Sequence, residues 1–195
     1  MCPIPKLSGL LTKAGPVISG VVLCLFMLAA PVVSYPENPH IQEYEVKAAF
    51  LFNFARLTGW PQGAFAQHEK NFVIGILGED PFGKGLELLR YRSIDGRSVL
   101  ITRIDDIRES SDCNLLFIAS SEMDRLPEII AQIGNRPVLT VSDIKGFENK
   151  GGTIAFFLKD NRVRFRINID AARKARLEIS SHLLEVADIV RENGR

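Results

Sequence analysis

Val141 to Gly152, VSDIKGFENKGG, gathers three glycines, two lysines and two acids into one loop after the apolar run RPVLT. A glycine-rich loop that follows a strand can hold a phosphate with its backbone N–H groups. That chemistry also needs a helix opening just behind the loop, and the segment that follows, Thr153–Leu158, has the pattern of a strand. Neither G-x-G-x-x-G nor G-x-x-x-x-G-K-S/T occurs in the chain. Gly151-Gly152 is read instead as backbone that needs positive φ or close approach at a strand entrance. The loop is expected to be a turn.

Other reactive residue types lack the spacing that catalysis requires. His40, His68 and His182 fall on a leader, a loop and a helix, with no H-E-x-x-H and no metal-ligand spacing. Cys113 has no neighbouring base in sequence, and free cysteines are usually small buried hydrophobes. Asp105-Asp106 and Asp112 stand before a strand, where solvated loop or helix cap is the simpler role. Ser110, Ser111, Ser120 and Ser121 sit at element ends, and G-x-S-x-G is absent. A hydrolase or transferase would have to assemble distant groups such as Asp143, Glu148 and His182. The expectation is a chain with no catalytic residues, no cofactor and no metal site.

One pattern points to binding. In RVRFRINI, Val163, Phe165, Ile167 and Ile169 alternate with Arg162, Arg164, Arg166 and Asn168. A period of two places three arginines on one strand face. Such a row repels itself unless it meets water, acids or an anionic partner. Two readings stand: an edge strand blunted by charge, or a partner or anion surface formed by Arg162, Arg164 and Arg166, with Arg173 extending it.

Those residues must be carried by a fold, and the chain's start does not look like part of it. Lys6 and Lys13 precede an apolar run, Val17–Ala30, and no acid occurs before Glu37. That run is 14 residues, short of the ~20 that a membrane span needs. Together they read as a secretory signal, residues 1–34, with cleavage after Ser34; an uncleaved anchor is the rival. The mature chain, 35–195, then has 161 residues, 22 basic against 23 acidic, enough for one domain with a core. Near-neutral charge does not point to nucleic acid. Cys2 and Cys24 leave with the signal, so Cys113 has no intramolecular partner.

Periodicity supplies the elements. IQEYEVKAAFLFNFARLTGW carries Ile41, Tyr44, Ala48, Leu51, Phe52 and Ala55 at helical spacing and stops at Gly59 and Pro61. NFVIGIL and NLLFIAS are continuous apolar runs, the mark of strands covered on both faces. SVLITRI and RPVLTV are further strands, with short helices expected near Leu86–Tyr91 and Met123–Ile133. Thr153–Leu158 and Arg162–Ile169 flank Lys159-Asp160-Asn161 as an antiparallel hairpin. DAARKARLEISSHLLEVADIV reads as helical with a break at Ser180-Ser181. The expected fold is α/β: a single domain whose mixed sheet has helices on both faces and a C-terminal hairpin followed by a helix.

Several segments together resemble the YfiR-like family of periplasmic proteins: EYEVKAAFLFNFARLTGWP, VIGILGEDPFG, IDGRSV, LLFIASSE and VLTVSDIKGFENKGGTIAFFLKDNRVRFRINIDAARKARLEISSHLLEVA. The resemblance implies a periplasmic, noncatalytic regulator that represses a membrane diguanylate cyclase by binding its periplasmic part. It further implies an outer-membrane partner that sequesters the repressor, and a homodimer. A small-molecule or anion sensor is the alternative. Members often carry a cysteine near the position of Gly75 that can pair with the one matching Cys113. Here Gly75 removes that pairing.

Overall fold

The computed structural model describes residues 39–65 and 70–191, so the expected signal segment and His68 lie outside the described residues. Among the described residues, the order begins with helix α1 (Pro39–Arg56), whose Tyr44, Ala48, Leu51, Phe54 and Ala55 are buried. These positions recur every three or four residues and form one stripe. Phe54 belongs to that stripe, whereas Phe52 is only half-buried. The helix ends where Thr58 turns its hydroxyl back onto the Phe54 carbonyl at 2.7 Å.

Strands β1 (Thr58–Gly59), β2 (Asn71–Leu77), β3 (Ser93–Ile94), β4 (Arg97–Ile104), β5 (Leu115–Ile118), β6 (Leu139–Ser142), β7 (Ile154–Lys159), β8 (Arg162–Asn168), β9 (Glu178–Ile179) and β10 (Asp188–Val190) follow. They are interspersed with helices α2 (Leu126–Ile133), α3 (Ile169–Lys174) and α4 (Ser181–Glu185) and with four 3-10 turns. Eight strands make one sheet, β10-β8-β7-β6-β5-β2-β4-β3. Its centre, β4-β2-β5-β6-β7, is parallel. The β7–β8 and β3–β4 pairs are antiparallel. Taken in chain order, the parallel strands lie second, first, third, fourth, fifth. The direction of winding therefore reverses at β2 and leaves a switch point between the carboxyl ends of β2 and β5.

Both faces of the sheet are covered, which is why the central strands are continuously apolar. Phe72, Ile74 and Ile76 of β2 face α1 with Leu115, Phe117, Ile154, Phe156, Phe165 and Ile167. Val73 and Leu77 point the other way, with Leu116 and Ile118, onto Leu126, Ile129 and Ile133 of α2. The expected mixed α/β domain with helices on both faces is what the chain forms. The hairpin is also present. Asp160 and Asn161 both have positive φ, 52° and 56°, the geometry of a two-residue turn that matches strand twist.

The C-terminal segment differs from the expected broken helix. α3 ends at Ala175, and Arg176 takes a left-handed φ of 58°. Glu178–Ile179 then pairs antiparallel with Thr58–Gly59. Ser180 caps α4 by accepting from the Leu183 N–H, and β10 joins β8 in parallel. Backbone hydrogen bonds to other strands override the apolar spacing that reads as one helix. Among the described residues, no helix is long and apolar enough to cross a membrane.

Candidate functional site

The Val141–Gly152 loop is held by its two acids and its last two glycines. Asp143 follows directly on β6, and its Oδ2 accepts from Lys47 Nζ at 2.7 Å and from the Tyr44 hydroxyl at 2.6 Å. Lys47, although charged, is only 4% exposed. It also contacts Glu43 Oε1 at 2.6 Å and lies 4.1 Å from the centroid of the Tyr44 ring. Burial, and then the hydrogen bond to Asp143, push the Tyr44 hydroxyl far above its usual range.

Glu148, equally buried, takes Arg166 Nη1 at 3.4 Å on its Oε1, while its backbone carbonyl accepts from Asn168 Nδ2 at 2.7 Å. Gly151 has a φ of 91°, and a Cβ on Gly152 would strike the buried ring of Phe147. The loop is thus a turn pinned to α1 by one acid and to β8 by the other. Its glycines serve geometry.

This arrangement also puts Asp143, Glu148 and His182 in separate surroundings rather than in one catalytic constellation. Asp143 is held by Lys47 and Tyr44, Glu148 by Arg166, and His182 lies exposed on α4. No cluster of His, Cys, Asp and Glu fit to hold a metal occurs among the described residues. Asp106 caps the 3-10 turn Ile107–Asp112 by accepting from the Arg108 N–H at 2.8 Å. The hydrogen bonds from Arg108 hold the Asp106 carboxyl below the usual carboxylate range. Cys113 is buried, and burial pushes its thiol up to about 11. At neutral pH it is a protonated, weakly nucleophilic thiol.

The four arginines divide. Arg162, Arg164 and Arg166 do alternate on one face of β8, but β8 is not the outermost strand. β10 pairs with Arg166–Asn168, and Arg162–Phe165 keeps only β7. Arg166 is tied down, against Glu148 and 4.1 Å above the Phe157 ring. Arg162 and Arg164 are exposed. Arg173 sits on α3, 3.6 Å from Asp170, and lines a separate opening with Trp60, Pro61 and Arg176.

Two openings flank α1. One, about 330 Å³, lies at the carboxyl ends of β5 and β6 and is lined by Glu43, Tyr44, Lys47, Ser120 and Asp143. The other, about 590 Å³, runs between the outer side of α1 and the β7–β8 hairpin. Val46 and Phe50 form one wall, Leu158 and Val163 the other, with Arg162 at the lip.

Neither opening was singled out from sequence. Their signals are a lysine at position 47 inside an apolar stripe, and Val46 and Leu158 in positions that face solvent.

A family model described as YfiR/HmsC-like matches residues 44–188, from the Tyr44 that holds Asp143 to the first residue of β10. The chain belongs to the YfiR/HmsC-like family. No curated protein matches the chain in sequence. Membership in the YfiR/HmsC-like family implies a regulator in diguanylate cyclase signalling. Within this YfiR/HmsC-like domain, the matched span includes both docked acids and the hairpin.

Proposed function

We propose that the protein is an exported, periplasmic repressor that binds the periplasmic part of an inner-membrane diguanylate cyclase and lowers cyclic di-GMP signalling. The family match over residues 44–188 carries this reading. The disposition of polar side chains is in keeping with it, because Lys47, Asp143, Glu148 and Arg166 act as internal ties. Repression by binding requires unequal affinity for two states of the target. Moving a cyclase from 99:1 active to 1:99 takes ~5.5 kcal/mol of differential binding. An outer-membrane partner that competes for the same protein would release the cyclase, and a homodimer is the expected assembly.

The test has two arms. N-terminal sequencing of the periplasmic protein is expected to read from Tyr35; a cytoplasmic chain beginning at Met1 contradicts export. Deleting the gene is expected to raise cyclic di-GMP, and restoring the exported protein to lower it. No change with the cognate cyclase present removes that target.

A second reading, a small-molecule or anion sensor, has one observation in its favour. The opening that contains Lys47 and Asp143 lies at strand carboxyl ends beside the switch point, where open α/β sheets bind ligands. Thermal-shift screening separates the readings. A ligand at ~100 times its dissociation constant adds about 2.7 kcal/mol.

A further inference from the structure

The short strand β10 shows what β8 accepts along its outer edge. Asp188 stands directly opposite Arg166, and Ile189 directly opposite Ile167. Residues paired in register point to the same side of a sheet. An acid therefore meets the arginine face of β8, and an apolar side chain meets the face turned to α1. β10 reaches only Arg166–Asn168, and among the described residues no strand lies outside Arg162–Phe165.

This uncovered stretch repeats the chemistry of the covered one. Arg162 and Arg164 share the face of Arg166, and Lys159, opposite Arg162 in the ladder, joins them. Like charges directly opposite each other repel. Glu148 lies 3.4 Å from Arg166, but Lys159, Arg162 and Arg164 form no ion pair among the described residues. On the other face stands Val163, half-buried. The backbone is open as well. Asp160 and Asn161 make a two-residue turn, so Lys159 and Arg162 form its hydrogen-bonded closing pair. By the alternation of the ladder, the N–H and C=O of Val163 point away from β7, toward the side where β10 has not yet begun.

We propose that an extended segment of the partner adds to this edge as a further strand, in line with β10. Its side chains alternate acid, apolar, acid, opposite Arg162, Val163 and Arg164, and its backbone pairs with Val163. This inference deepens the regulatory reading above and rests on it: the partner is the periplasmic part of the cyclase. Charge argues against a second copy of this chain. Two β8 edges paired antiparallel about a two-fold axis set arginines opposite arginines, and like-charge juxtaposition suppresses such pairings.

The experiment measures the affinity of the full exported protein for the purified periplasmic part of the cyclase, with melting temperature and amide hydrogen exchange. The Val163 amide is expected to exchange more slowly in the complex. Arg162→Glu with Arg164→Glu is expected to keep its melting temperature, since both side chains are exposed. It is expected to bind about 10-fold more weakly, with a flattened salt dependence. Val163→Pro removes the outward N–H, a change that edge strands tolerate, and is expected to weaken binding. Should that variant melt early, wild-type exchange at Val163 reads the same contact. Wild-type binding with unchanged exchange at Val163 overturns strand addition, whatever the arginine variant does, and leaves the regulatory reading standing. Unchanged affinity in the folded arginine variant likewise overturns the acidic segment. Failure of the wild-type protein to bind overturns the inference, and unchanged cyclic di-GMP on gene deletion would remove the regulatory reading with it. An edge variant that converts a dimer to a monomer in sedimentation assigns the edge to self-association and also overturns the inference.

Discussion

Gly75 of β2 faces the sulfur of Cys113: a Cβ at position 75 would lie 2.5 Å from Cys113 Sγ and 3.5 Å from Cys113 Cβ. The second distance falls within the Cβ–Cβ range of disulfides. Gly75→Cys is therefore expected to form a disulfide with Cys113 under oxidising conditions. The check is loss of titratable thiol in the unfolded protein without reductant, with a melting temperature above that of the reduced form. Gly75→Ala has the opposite sign. Its methyl meets Sγ and also Leu116 Cδ1 at 3.0 Å, so overpacking by about 1–3 kcal/mol is expected in chemical denaturation.

Alkaline pH should destabilise the fold. Burial raises the Cys113 thiol from 9.0 to about 11, and burial with the Asp143 hydrogen bond raises the Tyr44 hydroxyl from 10.0. A group whose pKa is raised on folding contributes stability below its unfolded value and loses it as pH climbs through the folded value. Between pH 9 and 11 the thiol alone accounts for a loss of about 2–3 kcal/mol. Denaturant unfolding from pH 8 to 11 is expected to show this fall, and a shallower one in Cys113→Ala. An identical slope in the variant would refute the assignment.

Asp143 ties α1 to the end of β6. Asp143→Ala leaves the Lys47 ammonium buried with Glu43 alone, and about 1.5–3 kcal/mol of stability is expected to go with the lost charged hydrogen bond. A double-mutant cycle with Lys47→Met and Asp143→Leu isolates the pair. The double variant is expected to be more stable than the sum of the singles predicts. Additive losses would mean that the contact carries no coupling.

The arginine row should respond residue by residue. Arg164→Glu, at an exposed position, is expected to leave the melting temperature nearly unchanged. Arg166→Glu places a carboxylate against buried Glu148 and removes the contact with Phe157, so a clear loss of stability is expected. Phe165→Ala, on the opposite face against Phe50 and Phe54, is expected to cost ~3–5 kcal/mol. Equal effects at 164 and 166 would contradict the division of the row into one tied and two exposed arginines.

Sequence alone determined the parts that follow from local periodicity. NFVIGIL and LLFI are strands buried on both sides because every residue is apolar. The hairpin around Asp160-Asn161 and the turn at Gly151-Gly152 rest on residues that tolerate positive φ or leave room for a ring. Family membership was legible for a similar reason, since it resides in the order of such segments.

Tertiary structure decided whatever depends on partners far apart in the chain. Lys47 and Asp143 are 96 residues apart, and Glu148 and Arg166 are joined across a strand turn. No local pattern says which acid meets which base. The same holds for the C-terminus. Residues 178–179 and 188–190 have helical spacing, yet they become strands because Thr58–Gly59 and Arg166–Asn168 offer backbone hydrogen bonds. Once buried, a backbone N–H or C=O must be paired, and only the assembled sheet determines with what.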